Sequence, residues 1–177
     1  MAFLDQLEQI AQEKRVDQPR HTAVTVDEAF RRRSFEVLHA GNMEGRTRAY
    51  LKIQDGCSQF CSYCIIPYAR GPIRSRQPED VIAEVKRLAE NGFKEVVLTG
   101  INLSLYGREL GLRLPDAVEA AASVPGIDRV RIGSLEPELL TDADIARLAA
   151  VPQLCGQFHL SLQSGWDATL ARMNRHY

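Results

Sequence analysis

"AYLKIQDGCSQFCSYCIIPYARG", residues 49–71, runs an apolar-alternating hexapeptide straight into a loop holding Cys57, Cys61 and Cys64. The first six residues predict a β-strand, so the thiols lie at its carboxyl end. In α/β folds ligands bind at that end. Short-spaced thiolates hold zinc or an iron–sulfur cluster. A structural zinc needs a fourth ligand. The one spare thiol, Cys155, falls just before a later strand, at the opposite end of the sheet. Three thiolates on a four-iron cluster leave one iron open for a substrate. Spacing and context favour iron–sulfur, with zinc the alternative.

Downstream the pattern repeats. "PEDVIAEVKRLAENG" (78–92) predicts a helix with Pro78 in its first turn, a buried stripe of Val81, Ile82, Val85, Leu88 and Ala89, and an Asn91-Gly92 stop. "EVVLTGI" (95–101) predicts a strand covered on both faces. A helix over about 114–124 and a strand at 129–136 follow. Next come a helix that Thr141 caps, a strand at 158–163 and a helix beginning at 167. Four strand–helix units in a row predict a parallel sheet with right-handed crossovers. In the fourth strand Phe158, Leu160 and Leu162 face one way, and His159, Ser161 and Gln163 the other. A polar row of that kind suits a barrel lumen, although His159 alone reads as a core histidine. A closed barrel takes about 200 residues or more, so the expected fold class is α/β, a partial (β/α) barrel of about four units.

The chain has 177 residues, 45% hydrophobic and 25% charged, enough for one core. Its formal net charge of −1 gives no overall basic footprint. The start, "MAFLDQLEQIAQEKR", does not read as an export signal, and no apolar stretch reaches the roughly 20 residues that span a bilayer. Four cysteines without export suit a reducing compartment, so a cytoplasmic protein is expected. Residues 1–14 predict an amphipathic helix with nothing local to pack against. Residues 15–48 are polar and broken, and the run Arg31-Arg32-Arg33 reads as a solvated turn or edge, or else a phosphate contact. Arg70, Arg74 and Arg76 form a basic cluster beside the loop, either near a phosphate or simply solvated.

Cys57-x-x-x-Cys61-x-Tyr63-Cys64 after a first barrel strand resembles the radical S-adenosylmethionine (SAM) superfamily. "GCSQFCSYCIIPYARGPIRSR", "VVLTGINLSLYG", "GSLEP" and "HLSLQSG" followed by "LARMNRHY" are similar, in order and spacing, to the methylthiotransferases. With Gly100-Ile101-Asn102 where the prenyladenosine branch usually has Gly-Gln-Asn, the pattern resembles the tRNA threonylcarbamoyladenosine branch. Alternatives are methylthiotransferases for prenylated adenosine or a ribosomal protein, and a non-catalytic zinc-binding α/β fragment.

The resemblance implies a radical SAM barrel whose first portion is 46–177. Residues 1–45 would be the linker and the remnant of an N-terminal domain that carries a second [4Fe-4S] cluster. It implies that Cys57, Cys61 and Cys64 hold a [4Fe-4S] cluster and that SAM chelates the open iron. An external electron donor then drives cleavage to a 5′-deoxyadenosyl radical. Tyr63 would meet the adenine, Gly100 and Asn102 the methionyl group, and Ser134 and Glu136 the ribose. Gln163 and Ser164 would close the site. The implied substrate is tRNA, methylthiolated at C2 of N6-threonylcarbamoyladenosine beside the anticodon, and no membrane is involved. This chain alone is expected to be catalytically incomplete, with 1–14 and 167–177 loosely held.

Overall fold

The computed structural model describes residues 28–39 and 45–177. The helix expected over 1–14 and most of the 1–45 linker lie outside the described residues. Strand β1 (Ala49–Lys52) is followed by β2 (Gln54–Asp55), helix α1 (Ile66–Arg70) and β3 (Arg74–Ser75). Helix α2 (Pro78–Glu90), β4 (Glu95–Thr99) and α3 (Leu114–Ala122) come next. The described chain then adds β5 (Arg129–Ile132), β6 (Ser134–Leu135), α4 (Asp142–Ala149), β7 (His159–Leu160) and α5 (Asp167–Arg172).

The strands run β1-β4-β5, all parallel, with Leu51 beside Leu98 and Leu98 beside Ile132. Past Gly133 the chain forms a separate parallel pair, β6-β7. This is the expected succession of four strand–helix units, an open portion of an α/β barrel. The first predicted strand is divided at Ile53. Its last residues, β2, turn to pair antiparallel with β3, which ties the cysteine loop to the strand that follows it. The fourth strand is shorter than predicted. The ladder continues only through Ser161 N–H to Leu135 O (2.8 Å), and Gln163 then turns with φ 60°.

Period-two alternation sends Ala49, Leu51, Val96, Leu98, Val130 and Ile132 to the face that α2 and α3 cover. Val81, Val85 and Leu88 of α2 and Ala117 and Val118 of α3 complete that core. Each fully buried aliphatic side chain contributes roughly 2 kcal/mol over exposure. Pro78 starts α2 where a backbone N–H has no partner in any case. Gly92, at φ 89°, ends it, with Phe93 N–H reaching back to Leu88 O. One stripe position differs from expectation. Ile82 is exposed, and Glu84 is buried in its stead because His39 (2.8 Å) and Arg87 (2.6 Å) pair with it.

Thr141 caps α4 as expected. Its hydroxyl accepts from Asp144 N–H, and Asp144 bonds back to Thr141 N–H. Arg113, at the start of α3, donates to both Asp144 oxygens and so ties the two helix starts together. That pairing, with the Thr141 bonds, holds Asp144 well below the usual carboxylate range. Beyond β6, Leu135, Leu140, Ile145, Leu148, Phe158 and Leu160 line an apolar groove of about 470 Å³. Among the described residues no helix is long and apolar enough to cross a membrane.

Candidate cofactor site at the cysteine loop

The loop leaves β2 through Gly56, whose φ of 73° and contact with Pro72 leave no room for a side chain. A Cβ there would lie 2.0 Å from Pro72 O. Asp55 Oδ1 accepts from Gly56 N–H (2.8 Å), and Cys57 N–H donates to Gly71 O (3.1 Å). Phe60, held at φ 51°, turns the chain so that Cys61 is buried while Cys57 and Cys64 are partly open. All four cysteines are free thiols.

Gln54 organises the floor of the site. Fully buried, it donates to Gly56 O (2.7 Å) and accepts from Asn102 N–H (2.8 Å), joining the loop to the end of β4. Gly100 is required by this packing. A Cβ there would come within 2.9 Å of Gln54. The Asn102 amide is buried and makes no hydrogen bond within normal limits, yet it sits near enough to the Cys57 sulfur to favour the thiolate. Burial and the Glu136 charge oppose it, and the Cys57 thiol is pushed up.

Glu136 enters from the end of β6. It accepts from Gln59 of the loop (3.3 Å) and from Arg175 Nη1 (2.5 Å). Arg175 is buried and also donates to Cys61 Sγ (3.3 Å) and Ser161 O (3.2 Å), and its guanidinium lies 5.5 Å above the Tyr177 ring. Its Nε has no partner among the described residues. Burial alone would depress the guanidinium, and Glu136, Cys61 and Tyr177 together reverse that and keep it charged. Nearby, Ser62 N–H and Oγ bond to Met173 O and Arg172 O, and Asn174 Nδ2 bonds to Phe60 O. The segment at 167–177 is therefore hydrogen-bonded to the cysteine loop.

The structure thus gathers Cys57, Cys61, Cys64, Asn102 and Glu136 at one mouth, with Tyr63 exposed on its rim. Three other expected residues are placed by neighbours of their own. Ser134 bonds to His159 (3.0 Å) one strand away, Gly100 packs on Gln54, and Gln163 is exposed in its turn. Cys155 adjoins Arg129 and Arg131 at the far end of the sheet. The predicted arginine cluster divides. Arg70 and Arg74 pair with Asp55, while Arg76 is buried beside Glu84 with its backbone carbonyl bonded to Tyr106. Sequence reasoning missed Gln54, Gln59 and Arg175. The "RMNR" phrase carrying Arg175 was part of the resemblance, but nothing local marked the arginine as a site residue.

A family model described as the radical SAM superfamily matches residues 51–177, the whole of this barrel portion. The chain belongs to the radical SAM superfamily. Among curated proteins it is 43% identical over 145 residues to the threonylcarbamoyladenosine tRNA methylthiotransferase MtaB of Chlamydia pneumoniae, covering 81% of this chain and 34% of that protein. It is 42% identical over 132 residues to a tRNA-2-methylthio-N(6)-dimethylallyladenosine synthase of Clostridium botulinum, covering 73% and 29%. The chain spans about a third of the length of these relatives. A solved radical SAM methyltransferase, TsrM from Kitasatospora setae, with cobalamin and a [4Fe-4S] cluster bound, superposes with a TM-score of 0.57 at 16% identity. The superposition covers 72% of this chain and 26% of TsrM, and it supports the radical SAM fold.

Proposed function

We propose that this chain is the cofactor-binding portion of a radical SAM tRNA methylthiotransferase that acts on threonylcarbamoyladenosine. The observation that carries the reading is the convergence of the three-cysteine loop with Asn102, Glu136 and Arg175. The donor set fits a [4Fe-4S] cluster. A single zinc would draw its thiolates to within about 4 Å of one another and would need a fourth ligand beside the three cysteines. A cubane takes its thiolates at separate corners.

The polar groups fit SAM. The unpartnered Arg175 Nε and the charged guanidinium suit a carboxylate, Glu136 suits an ammonium, and the Asn102 amide can serve either. Together the cluster and SAM supply reductive cleavage of a sulfonium, with electrons from an external donor. The chain's own residues hold and orient. Arg175 pairs with Glu136 and fixes Cys61, Gln54 fixes the loop against Asn102, and Tyr63 stands at the rim for the adenine. On this reading residues 46–177 begin the barrel. Residues 1–45 belong to a linker and a preceding domain, where a second [4Fe-4S] cluster would reside.

A second substrate is favoured by one observation, the nearly equal identity to the dimethylallyladenosine enzyme. Anaerobic reconstitution with iron and sulfide should give broad brown absorption and about four irons per chain. A strong reductant with SAM should then release 5′-deoxyadenosine. One zinc held tightly, with no cluster formed, overturns the reading. RNA hairpins carrying threonylcarbamoyladenosine or dimethylallyladenosine, compared for affinity, separate the two substrates.

A further inference from the structure

The arginine run 31–33 is separated from the barrel by a polar stretch, yet the fold brings it to the cysteine loop. The 3-10 turn Ala29–Arg31 buries Ala29 against α1, where its carbonyl fills the space a Cβ on Gly71 would need, 2.0 Å away. Arg32 thereby joins Lys52, Arg70 and Arg74 around a concave basin of about 530 Å³. Asp55 accepts from Lys52 Nζ (2.8 Å) and Arg70 Nε (3.1 Å) and forms an ion pair with Arg74 Nη2 (3.2 Å). One carboxylate does not neutralise three cations. Glu28 and Glu36 add two negative charges nearby, and Arg31 and Arg33 extend the positive side along the rim. Among the described residues the terminal nitrogens of Arg70 have no partner.

The rim carries a second feature. Phe30, Tyr68 and Phe60 form a chain of edge-to-face rings, with centroids 5.9 and 5.8 Å apart. They are 49%, 58% and 44% exposed. Exposed aromatic rings in a row are unusual on a surface with this much charge. Phe60 lies between Cys57 and Cys61, so the ledge leads from the basin to the cysteine loop.

We propose that this ledge and basin bind single-stranded RNA, with phosphates in the basin and unstacked bases on the rings. The proposal rests on the tRNA reading above and deepens it by naming where the substrate's loop docks. Among the described residues the guanidinium and ammonium groups here outnumber the carboxylates, which matches a phosphodiester chain with its one negative charge per nucleotide. Rings beside that charge match bases, because every base has a stacking face. An apolar protein partner would use the rings but leave the excess charge unpaired, at a cost.

The test uses the reconstituted chain and a fluorescein-labelled RNA hairpin, with binding followed by anisotropy across a salt series. Tyr68→Ala should weaken binding about tenfold, the loss of one base stack, while Tyr68→Phe should bind as the parent does. Lys52→Ala with Arg70→Ala leaves Arg74 to hold Asp55. That pair should lower the slope of log affinity against log salt by about 1.4, for two phosphate contacts on a single strand. Blunt duplex RNA of equal length should bind more weakly than the hairpin.

Cluster absorbance and 5′-deoxyadenosine yield should be unchanged in all three variants, so a failure here is separable from a failure of the cofactor reading. Parental affinity in Tyr68→Ala with an unchanged slope in the double variant overturns the proposal. Equal losses in Tyr68→Ala and Tyr68→Phe overturn it too, since stacking would not be the cause. Unaltered RNA binding, with altered self-association in sedimentation, assigns the face to a protein partner and likewise overturns it.

Discussion

The guanidinium of Arg175 donates to the sulfur of Cys61 across 114 residues of chain. The contact joins the last segment of the described structure to the loop after its first strand. It also makes the geometry of the thiols depend on an ion pair, because the same Nη1 holds Glu136.

Breaking that pair should cost stability. Arg175 is buried and Glu136 largely so, and Arg175→Met leaves that carboxylate without its counter-charge. A loss of about 3 kcal/mol is expected in urea denaturation. Adding Glu136→Gln should return part of it, and a double-mutant cycle measures how much. Strict additivity of the two changes would show that the residues are not coupled.

The ligand assignment makes a selective prediction. Cys57→Ser, Cys61→Ser and Cys64→Ser should each abolish the brown absorption on anaerobic reconstitution, and Cys155→Ser should leave it intact. Cys155 sits by Arg129 and Arg131 and bonds through its backbone N–H to Val130 O, remote from the loop. Loss of the cluster in Cys155→Ser would mean a different ligand set.

Gly100→Ala should damage the site without touching a thiol. The new methyl meets Gln54 at 2.9 Å and Leu103 at 3.0 Å, two fully buried side chains with little room to move. Displacing Gln54 frees the carbonyl of Gly56 and the N–H of Asn102. A destabilisation of about 2 kcal/mol follows from overpacking, together with less complete cluster formation. Thermal melts and iron content read the two effects separately.

The helix starts at Arg113 and Asp144 give a pH dependence. The Arg113 hydrogen bonds hold the Asp144 carboxyl below its ordinary value in the folded protein. Its contribution is therefore complete above the unfolded pKa of about 3.9 and is lost as pH falls through the lower folded value. Asp144→Asn should lose roughly 1 kcal/mol near neutrality, the size of a helix cap, and should flatten the acid limb of the stability profile. Urea midpoints between neutral pH and pH 3 check both. An unaltered acid limb in Asp144→Asn would assign the pH dependence to other carboxylates, Glu95 with its two arginine hydrogen bonds being one.

Features carried by neighbouring residues were legible in the sequence. Pro78 and Asn91-Gly92 mark both ends of a helix because their effects act within one turn. The cysteine spacing marks a candidate metal loop for the same reason. Ile82 and Glu84 exchanged places because burial was decided by His39 and Arg87, and neither partner is fixed by the helical period alone. Gln54 read as the end of a strand, and only the fold shows it bonding to residues 56 and 102. Arg175 was hidden most completely. Its partners are Cys61, Glu136 and Ser161, and no local pattern encodes a side chain's meeting with a residue so distant in the chain. Ser134 and Gln163 were read in the cofactor site from their strand ends, and the break at Gly133 and the turn at Gln163 beside them were not legible in the pattern.

The clasp between the cysteine loop and the segment around Arg175 also orders events in time. Loop closure over so long a stretch forms late, after the local helices and the β1-β4 pairing. During synthesis the thiols emerge early, but Ser62, Phe60 and Cys61 find their partners only once Arg172, Asn174 and Arg175 have left the ribosome. Until then the loop is an unshaped, oxidisable trio of sulfurs. Iron should be received only after the segment around Arg175 has emerged and closed on the loop.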